Sequence, residues 1–171
     1  DPERRFREDA LRMLRAWRFS AQLGFSIEEH TARAIRENAG LCRLLSRERV
    51  CAEAEKTLLS PRPETLSVML REGLLAACRI DGDYELHALK TVPAEPDVRW
   101  AMLKVLVPAL DLRQFRLPSR RVQLAETAAA AYQPSYTREA LKELIAASGE
   151  DVARVCAKLS NQEALLEEIL Q

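Results

Sequence analysis

Glycine is scarce in this chain, with 5 in 171 residues, and aromatic side chains make up only 5% of it. Alanine and leucine fill the space instead. That balance disfavours sheets and favours helices. No apolar and polar alternation longer than four residues occurs, and there is no internal repeat or low-complexity segment. Net charge is absent as well, with 26 basic and 26 acidic residues. Global charge therefore steers the chain to neither nucleic acid nor membrane, and any anion site must be a local patch. The longest apolar run, Trp100 to Leu110, is interrupted by Lys104 and is too short to span a bilayer. No signal peptide is evident.

Metal and disulfide chemistry are poorly supplied too. The cysteines (Cys42, Cys51, Cys78 and Cys156) make no C-x-x-C, and only His30 and His87 could join them. They read as buried or idle thiols in a reducing compartment, with cytoplasmic localisation expected and no metal site. The chain also opens without an initiator methionine, inside what reads as a motif, so it is expected to be a piece of something longer.

What is present is helical punctuation. A first helix is predicted from Glu8 to Leu23, stopped by Gly24. Ser26-Ile27-Glu28-Glu29 reads as a capping box for a second helix reaching Asn38, with Gly40 past its end. Ser46 can cap a third helix that Ser60-Pro61 closes. Short helices are predicted at Glu64–Glu72 and Tyr84–Lys90, then an apolar helix at Asp97–Leu110 that Pro108 kinks or ends. Leu112–Arg116, Arg120–Tyr132, Thr137–Ser148, Glu150–Leu159 and Gln162–Leu170 complete the series, the last behind a second capping box at Ser160 and Glu163. The fold class is all-α, a non-repetitive helical array. The first three helices form one unit over residues 1–60, and residues 61–171 form a second.

The first helix has two unlike faces. At 100° per residue, Ala10, Met13, Leu14, Trp17 and Ala21 gather on one side. Glu8, Asp9, Arg12 and Arg15 gather on the other, with Arg18 at the margin. Three residues apart on one helix, Asp9 and Arg12 would project together as an acceptor beside a donor fork. Cytosine and adenine each present an amino donor next to a ring-nitrogen acceptor. Uracil and guanine present the reverse. Such a pair can therefore admit C and A and refuse U and G, a good bidentate match being worth about 1–3 kcal/mol of discrimination. Glu8, four residues before Arg12, can hold its guanidinium. Without further context the same residues make an ordinary surface ion pair worth a few tenths of a kcal/mol.

The context is a resemblance. Arg5-Phe6-Arg7-Glu8-Asp9-Ala10-Leu11-Arg12-Met13-Leu14-Arg15-Ala16-Trp17-Arg18-Phe19, followed by Gln22-Leu23-Gly24-Phe25, closely resembles the neck of class II tRNA nucleotidyltransferases, the bacterial CCA-adding enzymes and their poly(A) polymerase relatives. Ile35-Arg36-Glu37-Asn38-Ala39 resembles the second neck helix, and Ser46-Arg47-Glu48-Arg49-Val50-Cys51-Ala52-Glu53 the E-R-x-x-x-E helix, with Cys51 where many members carry a second Arg. Leu117-Pro118-Ser119-Arg120-Arg121-Val122 is similar to a body-domain segment.

The resemblance implies an enzyme that adds C and A to the tRNA 3′ end, with residues 1–60 as the neck and 61–171 as the helical body. It implies that Asp9 and Arg12 pair with the edge of CTP or ATP, that Glu8 supports Arg12, and that Arg15 and Arg18 also contact the nucleotide. Arg49 and Glu53 become scaffold, with i,i+4 spacing that fits an internal ion pair. Arg113, Arg116, Arg120 and Arg121 are candidate contacts to the RNA backbone. The catalytic Gly-Ser pair and the aspartates that bind Mg2+ belong to an N-terminal head domain outside these residues, so no catalytic residue is expected here and the fragment alone should be inactive. CC-adding, A-adding and polyadenylating members share the same pair. Outside the family, the competing reading is a helical protein-interaction domain whose charged face is a docking surface.

Overall fold

The computed structural model describes residues 1–171 as ten α-helices joined by short 3-10 segments, with no strand. The helices are α1 (Pro2–Glu8), α2 (Leu11–Leu23), α3 (Glu29–Asn38), α4 (Arg47–Leu58), α5 (Leu66–Arg71), α6 (Pro96–Leu106), α7 (Ser119–Ala131), α8 (Arg138–Ser148), α9 (Glu150–Leu159) and α10 (Glu163–Leu170). None is long and apolar enough to cross a membrane.

The predicted first helix is two helices. Asp9 adopts an extended conformation (φ −149°, ψ 104°) that ends α1. Its side chain then accepts the Leu11 amide at 3.1 Å, opening α2. Aspartate competes with the helix for its own backbone, which is why it interrupts a run that periodicity alone would continue. Gly24 ends α2 in the left-handed region at φ 78°. A Cβ there would come within 2.7 Å of the Arg62 guanidinium, the movable end of a flexible side chain, so it is the backbone conformation that calls for glycine.

Capping differs from expectation at two places. Glu28, not Ser26, caps α3, its carboxylate accepting the His30 and Thr31 amides at 2.8 and 3.0 Å. Ser160 does not cap α10; its hydroxyl donates to the Cys156 and Ala157 carbonyls at the end of α9. Nor does Gly40 stop the chain from winding, because α3 tightens into a 3-10 segment over Ala39–Leu44. The piece expected at Tyr84–Lys90 is a 3-10 turn at His87–Thr91. Ser46 does cap α4, accepting the Arg49 amide at 3.3 Å.

One apolar core runs from Phe6 to Leu166 without interruption. The helix α4 packs on α2 at one side and on α5 and α6 at the other. Buried residues Val98 to Leu103 surround α6, marking it as the central helix of the second half. It packs against α7 and α9 and ends at Val107, ahead of Pro108. The Trp100 indole donates to Glu55 Oε2 at 2.7 Å and tilts against Phe115, with centroids 5.2 Å apart.

A charged residue sits inside this core. Arg99 is 6% exposed and donates to the Leu58 and Ser60 carbonyls at 2.7 and 2.8 Å and to the Val92 carbonyl at 3.4 Å. It thus satisfies carbonyls at the end of α4 from α6. Burial lowers its pKa from the ordinary arginine value.

All four cysteines are buried free thiols. Burial pushes Cys42, Cys51 and Cys78 up to about 12. Two outcomes are expected. Arg99→Ala should lower unfolding free energy by about 3 kcal/mol in urea denaturation, because it orphans buried carbonyls, while Arg113→Ala should stay within about 0.5 kcal/mol. Iodoacetamide at pH 8 should leave the native chain unmodified and alkylate all four cysteines only after denaturation.

Candidate nucleotide-binding site

The charged residues expected on one helical face stand instead around the α1–α2 break, and α4 supplies partners for Asp9, Arg15 and Arg18 while α1 supplies that of Arg12. Asp9 is fixed by two donors through three contacts. Beyond the Leu11 amide, Arg49 Nη2 reaches Oδ1 at 3.3 Å and Oδ2 at 3.1 Å. Because Asp9 is extended, the helical i,i+3 relation to Arg12 does not apply. Arg12 stays half exposed and lies 3.6 Å from Glu8 Oε2, as the sequence suggests, though from a separate helix. Arg4 donates to the other oxygen of Glu8 at 3.2 Å. The two elements of the expected acceptor–donor edge are thus held separately, one from α4 and one from α1.

The expected Arg49–Glu53 pair within α4 does not form. Arg49 faces Asp9, and Glu53 faces α2. Glu53 is 3% exposed and takes Arg15 Nε at 3.4 Å on Oε1 and Arg18 Nε on Oε2. Cross-helix partners win because the buried carboxylate gains most from Arg18, a guanidinium that shares its low-dielectric surroundings, with Arg15 adding a second contact from the same helix. Arg18 is itself largely buried, also donates to Gln22 Oε1 at 3.1 Å and lies 4.0 Å from the Phe19 ring centroid. Arg15 is half exposed. A sequence signal for Glu53 existed: it falls on the stripe formed by Val50, Ala54, Thr57 and Leu58, all buried. A carboxylate in an apolar stripe demands a cation from a neighbouring element.

Beside Arg12 a cleft of about 440 Å³ opens between α1, α2 and α3, lined by Arg5, Phe6, Arg12, Ala16 and Thr31 near the Asp1 end of α1. The four arginines expected on an RNA path lie elsewhere and are all engaged. Arg113 pairs with Asp111 at 3.1 Å, Arg116 with Glu48 at 3.3 Å, Arg120 with Asp151 at 2.9 Å and Arg121 with Asp97 at 2.9 Å. On the exposed acidic face of α10, Glu167 pairs with Arg154 and Glu168 with Arg138. No group of three His, Cys, Asp or Glu side chains comes together as a metal-ligand set.

Glu53→Ala should cost about 3 kcal/mol of stability in urea denaturation, because it strands buried positive charge, whereas Arg15→Ala should cost less than about 1 kcal/mol.

Residues 24–78 match the family model described as the probable RNA and SrmB-binding site of polymerase A. The CCA-adding enzyme of Geobacillus sp. (strain WCH70) is 40% identical over 139 residues, covering 75% of this chain and 34% of that protein. That of Bacillus velezensis is 32% identical over 155 residues, covering 82% and 39%. The crystal structure of the Bacillus stearothermophilus CCA-adding enzyme in complex with CTP superimposes with a TM-score of 0.72 at 29% identity, over 99% of this chain and 48% of that one. The chain thus spans between a third and a half of the length of these relatives. With the helical order of that enzyme and the sequence of its relatives, the chain belongs to the class II tRNA nucleotidyltransferase family, as a body region of it.

Proposed function

We propose that this region selects the base in a CCA-adding tRNA nucleotidyltransferase, with residues 1–60 as the base-recognising neck and 61–171 as the supporting body. The observation that carries the reading is the pair of separately held groups at the α1–α2 break. Asp9 is fixed from Arg49, and Arg12 is held next to Glu8 with its guanidinium half exposed. A fixed acceptor and a supported donor can match the amino group and ring nitrogen of cytosine or adenine without reorganising. One of the four Asp9 lone-pair sites, on Oδ2, remains after the Leu11 amide and the two Arg49 contacts take theirs, enough to accept the base's amino group.

Arg15 is the next cation along α2, within reach of a nucleotide through its exposed side. Arg18 acts through Glu53, which it anchors. Support also comes from the relatives, named as CCA-adding enzymes, one of them solved with CTP. The substrates in this reading are CTP, ATP and the tRNA 3′ end, and the compartment is the cytoplasm. Mg2+ finds no ligand set in these residues; in this reading it and the bond-making chemistry belong to a head domain of the longer enzyme.

In the full-length enzyme, CTP and ATP should be bound and UTP and GTP refused. Arg12→Ala should relax that preference by about tenfold or more while moving the unfolding free energy by less than about 0.5 kcal/mol, because the side chain lies off the packed face. Competition binding of the four nucleotides with urea denaturation checks both. Unchanged preference in Arg12→Ala, or a chain that unfolds, would end this reading.

A further inference from the structure

The first two helices carry six arginines, and five of them are neutralised by a carboxylate. Arg4 and Arg12 share Glu8, Arg7 faces Glu3, and Arg15 and Arg18 share Glu53. The sixth, Arg5, is exposed and has no acidic partner. It is also the one that, with Arg12, lines the cleft between α1, α2 and α3. The carboxylates near that cleft are already engaged. Asp1 accepts the Glu3 amide at 3.1 Å, and Glu28 accepts the amides of His30 and Thr31 and the Thr31 hydroxyl. Asp1 also lines the cleft, but no carboxylate pairs with Arg5, which leaves one guanidinium uncommitted beside the one proposed to read the base.

We propose that Arg5 is a phosphate-binding residue of this cleft, its guanidinium taking phosphoryl oxygens of the nucleotide whose base meets Arg12 or of the RNA 3′ end that enters with it. The inference rests on the base-reading role of Arg12. The chemistry is that of a planar donor fork meeting tetrahedral oxygens, which an uncommitted arginine performs and one already bound to a carboxylate performs poorly.

The test compares the unsubstituted chain with Arg5→Ala, Arg5→Lys and Arg12→Ala. Binding of CTP, UTP, cytidine and a minihelix ending in CC is followed by amide NMR titration, with thermal midpoints recorded for each protein. If the oxygens are the nucleotide's, Arg5→Ala weakens CTP about tenfold, leaves cytidine unchanged and keeps the preference for CTP over UTP. If they are the RNA's, Arg5→Ala weakens the minihelix instead and lowers the slope of log affinity against log salt by about one. In either case Arg5→Lys retains most of the affinity. CTP and minihelix affinities that both stay within twofold in Arg5→Ala would overturn the proposal, as would an equal loss for cytidine and CTP. Loss of base preference in Arg12→Ala without any effect of Arg5→Ala removes the phosphate site alone. The converse removes the base-reading role and leaves the phosphate site standing.

Discussion

A carboxylate 3% exposed to water must be surrounded by charge of the opposite sign, and Glu53 is surrounded by two arginines from one helix. Taking an ion out of water costs several kcal/mol, and the partners repay that only when they are well placed. Arg15 and Arg18 are placed by the three-residue step along α2, and Glu53 by its position in the apolar stripe of α4. The contact therefore sets the register of α2 on α4. Once that register is set, Arg49, one turn earlier on α4, comes opposite the break where Asp9 sits. The geometry around the proposed base-reading edge is a consequence of where one acid is buried.

The far end of α4 is fixed by the reverse device. There a buried cation, Arg99, holds carbonyls at Leu58 and Ser60. The same helix is thus pinned to α2 by an anion it carries and to α6 by a cation it receives. Helix α4 is anchored between two buried charges of opposite sign. That anchoring suits the proposed role of positioning a discriminating group, since small displacements would blur the difference between one base edge and another.

Most helices were legible in the sequence because their signals are local. Ser46, Gly24, Pro108 and Thr137 act on backbone groups within a turn of themselves, and the apolar spacing of α9 is unambiguous. The failures have a common physical origin. Asp9 breaks a helix whose periodicity continues on both sides, since a side chain that bonds its own backbone is invisible to a count of apolar positions. Glu28 displaced Ser26 as a cap because α3 opens at Glu29, two residues later than a Ser26 cap would start it, where the Glu28 carboxylate meets the His30 and Thr31 amides. Of the candidate site, the residue identities were readable and the pairings were not. Arg49 and Glu53 satisfy an i,i+4 rule, yet each is committed across the helix interface: Glu53 to Arg18, where burial multiplies the electrostatic gain, and Arg49 to the partly exposed Asp9. Arg99 gave no sign in the sequence, because an arginine inside an apolar run reads as a snorkelling surface residue until carbonyls from distant elements converge on it.

The break at Asp9 is held closed from a point forty positions further along the polypeptide. A peptide copied from the opening helices would contain both proposed reading groups and still lack their arrangement. Selectivity of this kind is switched on by folding as a whole: a partly assembled molecule would present no edge to any nucleobase, so incomplete folding would silence the site without making it permissive.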